Sequence, residues 1–189
     1  PLDGRLPRHV MLHKPAGLLT AARDKKQPTV MDLLPDVYNA IGCMPVGRLD
    51  KDTTGLLVAG KTYASVRLLT DALAGRGGEA PRKEYLAWVE GRWPFTAEDG
   101  PQELHDFLAK DQKAQRMKTV RGNKEEEGQE ARCIVTALES RRFPEGPQGR
   151  TYTLLLIRLL TGRTHQIRVQ LASRGHAIVG DPWYGKASN

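Results

Sequence analysis

Two carboxylates, Asp50 and Asp52, stand beside the cations Arg48 and Lys51 and the hydroxyls Thr53 and Thr54, between Gly47 and Leu56. A carboxylate pair first suggests glycoside hydrolysis, which places two carboxyl groups on opposite sides of the scissile bond. Asp50 and Asp52 lie two positions apart in a loop, a spacing that seldom lets them face each other. Asp50 is then a single acid in a loop that leads into a rigid strand, where functional side chains are often presented. The same residues also suit an Asx-type turn, with Asp50 or Asp52 bonding local backbone amides. A second polar group, Arg163, His165, Gln166 and Arg168, occurs near the end of the chain. Read alone, Arg163 suits a surface ion pair, His165 a backbone cap, Lys14 a solvated turn and Tyr85 a core aromatic with its hydroxyl satisfied.

The elements that must hold these residues follow from apolar spacing. Residues 56–59 are apolar between Gly55 and Gly60 and predict a short buried strand. Residues 9–13 predict a first strand, stopped by Lys14-Pro15-Ala16-Gly17. Residues 28–35 predict a short helix, with Thr29 near its cap and Pro35 ending it. Residues 62–74 carry Val66, Leu69 and Leu73 at helical spacing, with Gly75 as the left-handed stop. Residues 85–89 predict a central strand because both faces are largely apolar. Residues 101–109 predict a helix with Leu104, Phe107 and Leu108 inward. Residues 110–130 hold Lys110, Lys113, Arg116, Lys118, Arg121 and Lys124 before an acidic run. They read first as a solvated surface hairpin and second as an RNA-facing arm, since phosphates reward Lys and Arg through counterion release. Residues 132–138 and 151–160 predict strands, with a turn at 144–149. Thr164 is expected to cap a helix that carries Ile167 and Leu171 on its buried side, runs to about Ser173 and stops at Gly175.

The 189 residues can build one sizeable core or two intimate subdomains. Lys and Arg outnumber Asp and Glu by 29 to 22, and the net charge of +7 favours a polyanionic partner, nucleic acid first. No apolar run reaches the length of a membrane span. The chain begins Pro1-Leu2-Asp3-Gly4 without the apolar core of a signal peptide, and without Met it is expected to be a fragment or a processed product. Cys43 and Cys133 are expected as buried free thiols in a reducing cytosol. No metal-ligand cluster, phosphate-cradling glycine loop or dinucleotide fingerprint is found, so neither metal nor cofactor is expected.

Four stretches together resemble the RNA pseudouridine synthase superfamily, with its RsuA-type and RluA-type branches. Arg48-Leu49-Asp50-Lys51-Asp52-Thr53-Thr54-Gly55-Leu56-Leu57 resembles the catalytic motif. Lys14-Pro15-Ala16-Gly17 resembles the first motif, whose lysine and proline buttress the active-site loop. Lys83-Glu84-Tyr85-Leu86-Ala87 resembles the second, whose tyrosine packs on the target uracil. Thr161-Gly162-Arg163-Thr164-His165-Gln166-Ile167-Arg168 resembles the third motif of the RluA-type branch, and Gly180-Asp181-Pro182-Trp183-Tyr184-Gly185 the short signature after it. Gly47 and residues 29–34 are instead similar to the RsuA-type branch. Asp3-Gly4 resembles the segment that links a small RNA-binding domain to the catalytic domain in many RsuA-type proteins; from the given residues that domain is expected to be lacking.

The resemblance implies an α/β (α+β) fold: a mixed, mainly antiparallel bent sheet flanked by helices, with a central cleft. Residues 1–8 would be a linker and residues 9–189 the catalytic domain. The implied activity is isomerisation of uridine to pseudouridine in structured RNA, without cofactor and with the base flipped out of its stack. Asp50, Tyr85 and Arg163 are the implied catalytic residues, Arg163 contacting Asp50 and opposing the rise in pKa that burial would cause. Arg48, Lys14, His165, Gln166 and Arg168 are expected to bind RNA, Arg48 by filling the gap left by the flipped base. Thr53, Thr54 and Gly55 are expected to shape the loop. The expected substrate is ribosomal RNA, with transfer RNA the alternative. A non-catalytic RNA-binding or ribosome-assembly module is a further alternative, against which an intact Asp50, Tyr85 and Arg163 argue. A cytoplasmic monomer without membrane association is expected.

Overall fold

A computed structural model describes residues 9–76, 78–122, 127–143 and 149–185. The chain divides into two compact units, Pro1–Pro81 and Arg82–Asn189. The expected linker at 1–8 and most of the expected turn at 144–149 lie outside the described residues.

The first unit is built on a three-stranded antiparallel sheet in the order β1-β3-β2. Its strands are β1 (His9–Lys14), β2 (Met44–Val46) and β3 (Gly55–Gly60). β3 sits in the centre, as its apolar run requires: Leu57 and Ala59 point into a core with Val30, Met31 and Cys43. The expected helix at 28–35 is one turn of 3-10 helix, Val30–Leu33. Its start is a reciprocal cap, with the Thr29 hydroxyl accepting from Met31 N and Asp32 Oδ2 accepting from Thr29 N. A short helix α1 (Asp36–Ala40) follows it, and was not anticipated. Helix α2 (Tyr63–Leu73) is capped by Thr62 Oγ1, which accepts from Ser65 N at 3.1 Å, and is followed by Gly75 at φ +72°.

The second unit holds a five-stranded antiparallel sheet in the order β4-β8-β7-β5-β6. Its strands are β4 (Lys83–Glu90), β5 (Gln102–Asp111), β6 (Arg116–Val120), β7 (Gln129–Phe143) and β8 (Arg150–Leu159), and helix α3 (Gln166–Ala172) follows them. One face is buried by strict alternation. Ala131, Cys133, Val135 and Ala137 of β7, with Thr153, Leu155 and Ile157 of β8, point inward. A bulge between Ala137 and Glu139 leaves Leu138 unpaired and 45% exposed.

Two expectations are corrected here. β4 is an edge strand, not a central one; its inward face (Tyr85, Ala87, Val89) packs on the core while Leu86 on the other face faces solvent. Residues 101–109 form strand β5 rather than a helix. Leu104 and Leu108 are four apart, a spacing that places both on one face of a helix or of a strand. Pairing with β6 on one side and β7 on the other decides for the strand.

Candidate active site

The loop that carries Asp50 is pinned from within its own unit. Gly47 takes a left-handed φ of +73° and turns the chain out of β2. Leu49 then packs into the first core, and its backbone is gripped by Thr20, whose hydroxyl accepts from Leu49 N and donates to Leu49 O at 2.8 Å. The turn itself is closed by Thr53 N donating to Asp50 O at 3.0 Å. Its next carbonyl, of Lys51, accepts from Gly17 N at 2.9 Å.

Lys14 completes the clamp. It is 0% exposed, and its ammonium donates to the carbonyls of Lys51 (2.7 Å), Thr53 (2.9 Å) and Pro15 (3.0 Å). An ammonium has three protons to donate, and here all three go to backbone oxygen. Burial holds the Lys14 pKa below the ordinary lysine value, opposed by the negative charges of Asp52 and Asp50. The Lys14 ammonium, expected to bind RNA and also to buttress the loop, is here bonded to carbonyls of its own loop. Arg48, Asp52 and Thr54 stay exposed, while Asp50 and Thr53 are half-buried. The arrangement thus presents a carboxylate on an immobilised turn, with an exposed guanidinium two residues before it.

In the second unit, Tyr85 lies on β4 opposite Ile157 and packs against the main core. The stretch Thr161 to Arg168 is organised by Gln166, which is only 3% exposed. Its Oε1 accepts from Arg163 N and from Thr161 Oγ1, both at 2.9 Å, and its Nε2 donates to Arg132 O at 3.0 Å. Gln166 thereby fixes the segment that leads into α3; the helix itself has no side-chain cap from Thr164 or any other described residue, and the residue before it, His165, adopts a left-handed φ of +53°. Thr164 is exposed. Gln166, also expected to contact RNA, has its side-chain amide bonded inside the fold. Arg163 is exposed, and its Nε donates to Glu130 O at 2.8 Å.

Arg168 is likewise expected to contact RNA. Its side chain is 18% exposed and is held in a two-point pair with Asp181, Nε to Oδ2 at 2.7 Å and Nη2 to Oδ1 at 3.0 Å. His165 Nδ1 lies 2.9 Å from the Tyr184 hydroxyl, which also accepts from Met117 N at 3.0 Å. Thr20, Asp181 and Tyr184 were given no role from sequence. Asp181 and Tyr184 stand in a quoted signature, whereas Thr20 lies in a polar stretch without periodicity and carries no sequence signal. Among the described residues, no group of His, Cys, Asp and Glu could hold a metal ion.

A family model described as RNA pseudouridylate synthase matches residues 8–173. The chain belongs to the RNA pseudouridylate synthase family. Among relatives in this family, a protein of Nitrosomonas europaea named ribosomal large subunit pseudouridine synthase D is 35% identical over 185 residues, covering 95% of this chain and 48% of that protein. An RNA pseudouridine synthase of Chloroflexus aurantiacus is 37% identical over 183 residues, covering 92% of this chain and 51% of that protein. The chain thus spans about half the length of these curated relatives. The solved structure of human RNA pseudouridylate synthase domain containing 1 matches with a TM-score of 0.72 at 22% identity, over 97% of this chain and 69% of that one. That likeness establishes the fold, an α+β arrangement with antiparallel sheets, as expected.

Proposed function

We propose that this chain isomerises specific uridines of structured RNA to pseudouridine, with ribosomal RNA as the substrate class and Asp50 as the residue that starts the reaction. The glycosidic bond breaks, the uracil turns, and its carbon five bonds to the same ribose carbon; the proton displaced from carbon five is balanced by one gained at nitrogen one. Nothing is oxidised or reduced. Asp50 either attacks the anomeric carbon or removes a proton from the neighbouring sugar carbon, and both routes need an ionised carboxylate in a fixed position.

The observation that carries the reading is the clamp on the Asp50 turn. A buried lysine, a threonine hydroxyl and a backbone amide fix the carbonyls on both sides of one carboxylate, which is the rigid support that a reacting side chain needs. Family membership, the net charge of +7 and the names of the relatives support an RNA substrate. Tyr85 is proposed to stack on the extruded uracil, Arg163 to favour the charged form of Asp50, and Arg48 to occupy the gap left in the RNA. His165 is proposed to contact RNA, and Thr53, Thr54 and Gly55 to shape the loop. Residues 9–189 are proposed to form one catalytic domain. We further propose a cytoplasmic monomer that needs no cofactor; among the described residues no helix is long and apolar enough to cross a membrane.

The test is site-mapped pseudouridine formation on unmodified total RNA, with Asp50→Asn alongside. One or a few ribosomal sites that vanish in the variant are expected. Sites in transfer RNA would redirect the substrate, and no sites with RNA still bound would favour a non-catalytic binding module.

A further inference from the structure

Trp183 differs from the other tryptophans. Trp93 is 4% exposed in the main core, and Trp88 lies under the guanidinium of Arg141 on the outer face of the sheet. Trp183 is 50% exposed although its backbone is held at both ends. Asp181 Oδ1 accepts from Trp183 N at 2.9 Å and from Tyr184 N at 3.0 Å, and Arg116 Nη1 donates to Trp183 O at 2.6 Å. The ring is supported as well. The Arg168 guanidinium lies 5.5 Å from its centroid and 5.1 Å from that of Tyr184, and the His165 ring meets it edge-on at 5.2 Å. A large apolar ring is thus fixed, backed by a cation that Asp181 itself locks, and half open to water.

The surroundings give the occupant its chemistry. Arg116 opens β6 next to this ring, and Lys110, Lys113 and Lys118 line the same β5–β6 hairpin, all exposed. Asp111 offsets only part of this charge, through its ion pair with Lys118 at 3.4 Å. One exposed aromatic face in a cationic setting matches a nucleotide, whose base stacks and whose phosphate takes an arginine or lysine. A protein partner would call for a broader apolar patch than a single indole.

We propose that Trp183 is a stacking platform for an unpaired base of the RNA substrate other than the target uridine, with Arg116 and the lysines of the hairpin on the neighbouring phosphates. This rests on the reading of the chain as an RNA-modifying enzyme. Because His165 stands in the third motif and touches the Trp183 ring, the platform would hold RNA at a point bordering that motif.

The test uses the full chain carrying Asp50→Asn, so that RNA is bound without turnover, together with Trp183→Phe and Trp183→Leu. Both replacements fill the position; only phenylalanine offers a π face. Binding of unmodified ribosomal RNA and of a single-stranded oligouridylate is read by titration, tryptophan emission by quenching, and folding by thermal unfolding. The expected result is binding weakened about fivefold or more in Trp183→Leu, the lower end for loss of one base stack, and kept within about twofold in Trp183→Phe. RNA-dependent quenching should be present with Trp183 and largely lost in both replacements. Equal binding by all three proteins, quenching that persists without Trp183, or no RNA binding at all would overturn the proposal. Pseudouridine formation in the Asp50-containing chain is scored separately. Turnover with an unchanged KM in Trp183→Leu would refute the platform and leave the enzyme standing; quenching without turnover would do the reverse.

Discussion

Replacing Lys14 by methionine keeps the length and volume of a buried side chain and removes its ammonium. Three carbonyls then lose a donor. Lys51 O keeps the amide of Gly17, and Pro15 is exposed enough for water to replace the lost bond. Thr53 O, half-buried, bears the main cost. A hydrogen bond to a charged group contributes roughly 1.5–3 kcal/mol, and an orphaned buried carbonyl costs about 1–3 kcal/mol. Against this stands relief of the ammonium's own desolvation, the largest influence on the Lys14 pKa. The balance is a loss of about 2–3 kcal/mol, which lowers Tm by about 5–10 °C in a chain of this size.

The functional consequence is separable from the loss of stability. The carbonyls that Lys14 holds belong to Lys51 and Thr53, which follow Asp50 in the same turn. Loosening them displaces the carboxylate, and a shift of about 1 Å can cost on the order of a hundredfold in rate. Measured well below the melting temperature, Lys14→Met should therefore lose turnover on RNA. The slope of log binding constant against log salt should stay as in the wild type, because no phosphate contact is removed. A phosphate-binding lysine gives the opposite pattern, an unchanged Tm and a salt slope reduced by about one. That pattern would refute the structural assignment of Lys14.

Two further outcomes are expected. Burial pushes the Asp181 carboxyl up, but the hydrogen bond from Arg168 and the amides of Trp183 and Tyr184 outweigh it and hold the group below the ordinary aspartate value of 3.8. A carboxylate whose folded pKa is depressed stabilises the fold above its unfolded pKa, and that contribution is lost as pH falls through the folded value. Asp181→Asn should thus be less stable at neutral pH and show a flatter loss of stability below about pH 4 in urea unfolding; acid limbs that run parallel would contradict the pair's role. The Cys133 thiol, pushed up to about 12 by burial, should resist a thiol reagent in the folded protein at mild alkaline pH and react on unfolding; prompt labelling without denaturant would disprove its burial.

What was legible in the sequence follows from where one force decided alone. β3 and α2 were readable because apolar spacing and a terminal glycine or threonine agreed, and both elements appear within a residue or so of expectation. β5 was misread because its leucines fit either period and only pairing on both edges separates the two. The start of α3 was misplaced because Thr164 is a good cap by type, whereas the residue before the helix is His165 in a left-handed conformation, with no side-chain cap, and Gln166 reaches back to the amide of Arg163.

The same physics explains why three residues expected to contact RNA make bonds within the fold. Lysine, arginine and glutamine donors satisfy a phosphate oxygen, a backbone carbonyl or a carboxylate equally well, so residue type cannot tell them apart. Burial can. Lys14 and Gln166 sit beside loops whose carbonyls and amides have no strand or helix partner, and a buried unpaired backbone group is costly. Each supplies the missing bonds to a loop that bears a motif residue: Lys14 to the turn of Asp50, Gln166 to the segment of Arg163 and His165. Arg168 does the corresponding work through Asp181, whose carboxylate also fixes the backbone of Trp183 and Tyr184. In such a chain the buried polar residues of a motif make its loops rigid. The exposed cations, Arg48 and the hairpin residues Lys110, Lys113 and Lys118, make no such internal clamp and are the ones proposed to meet RNA.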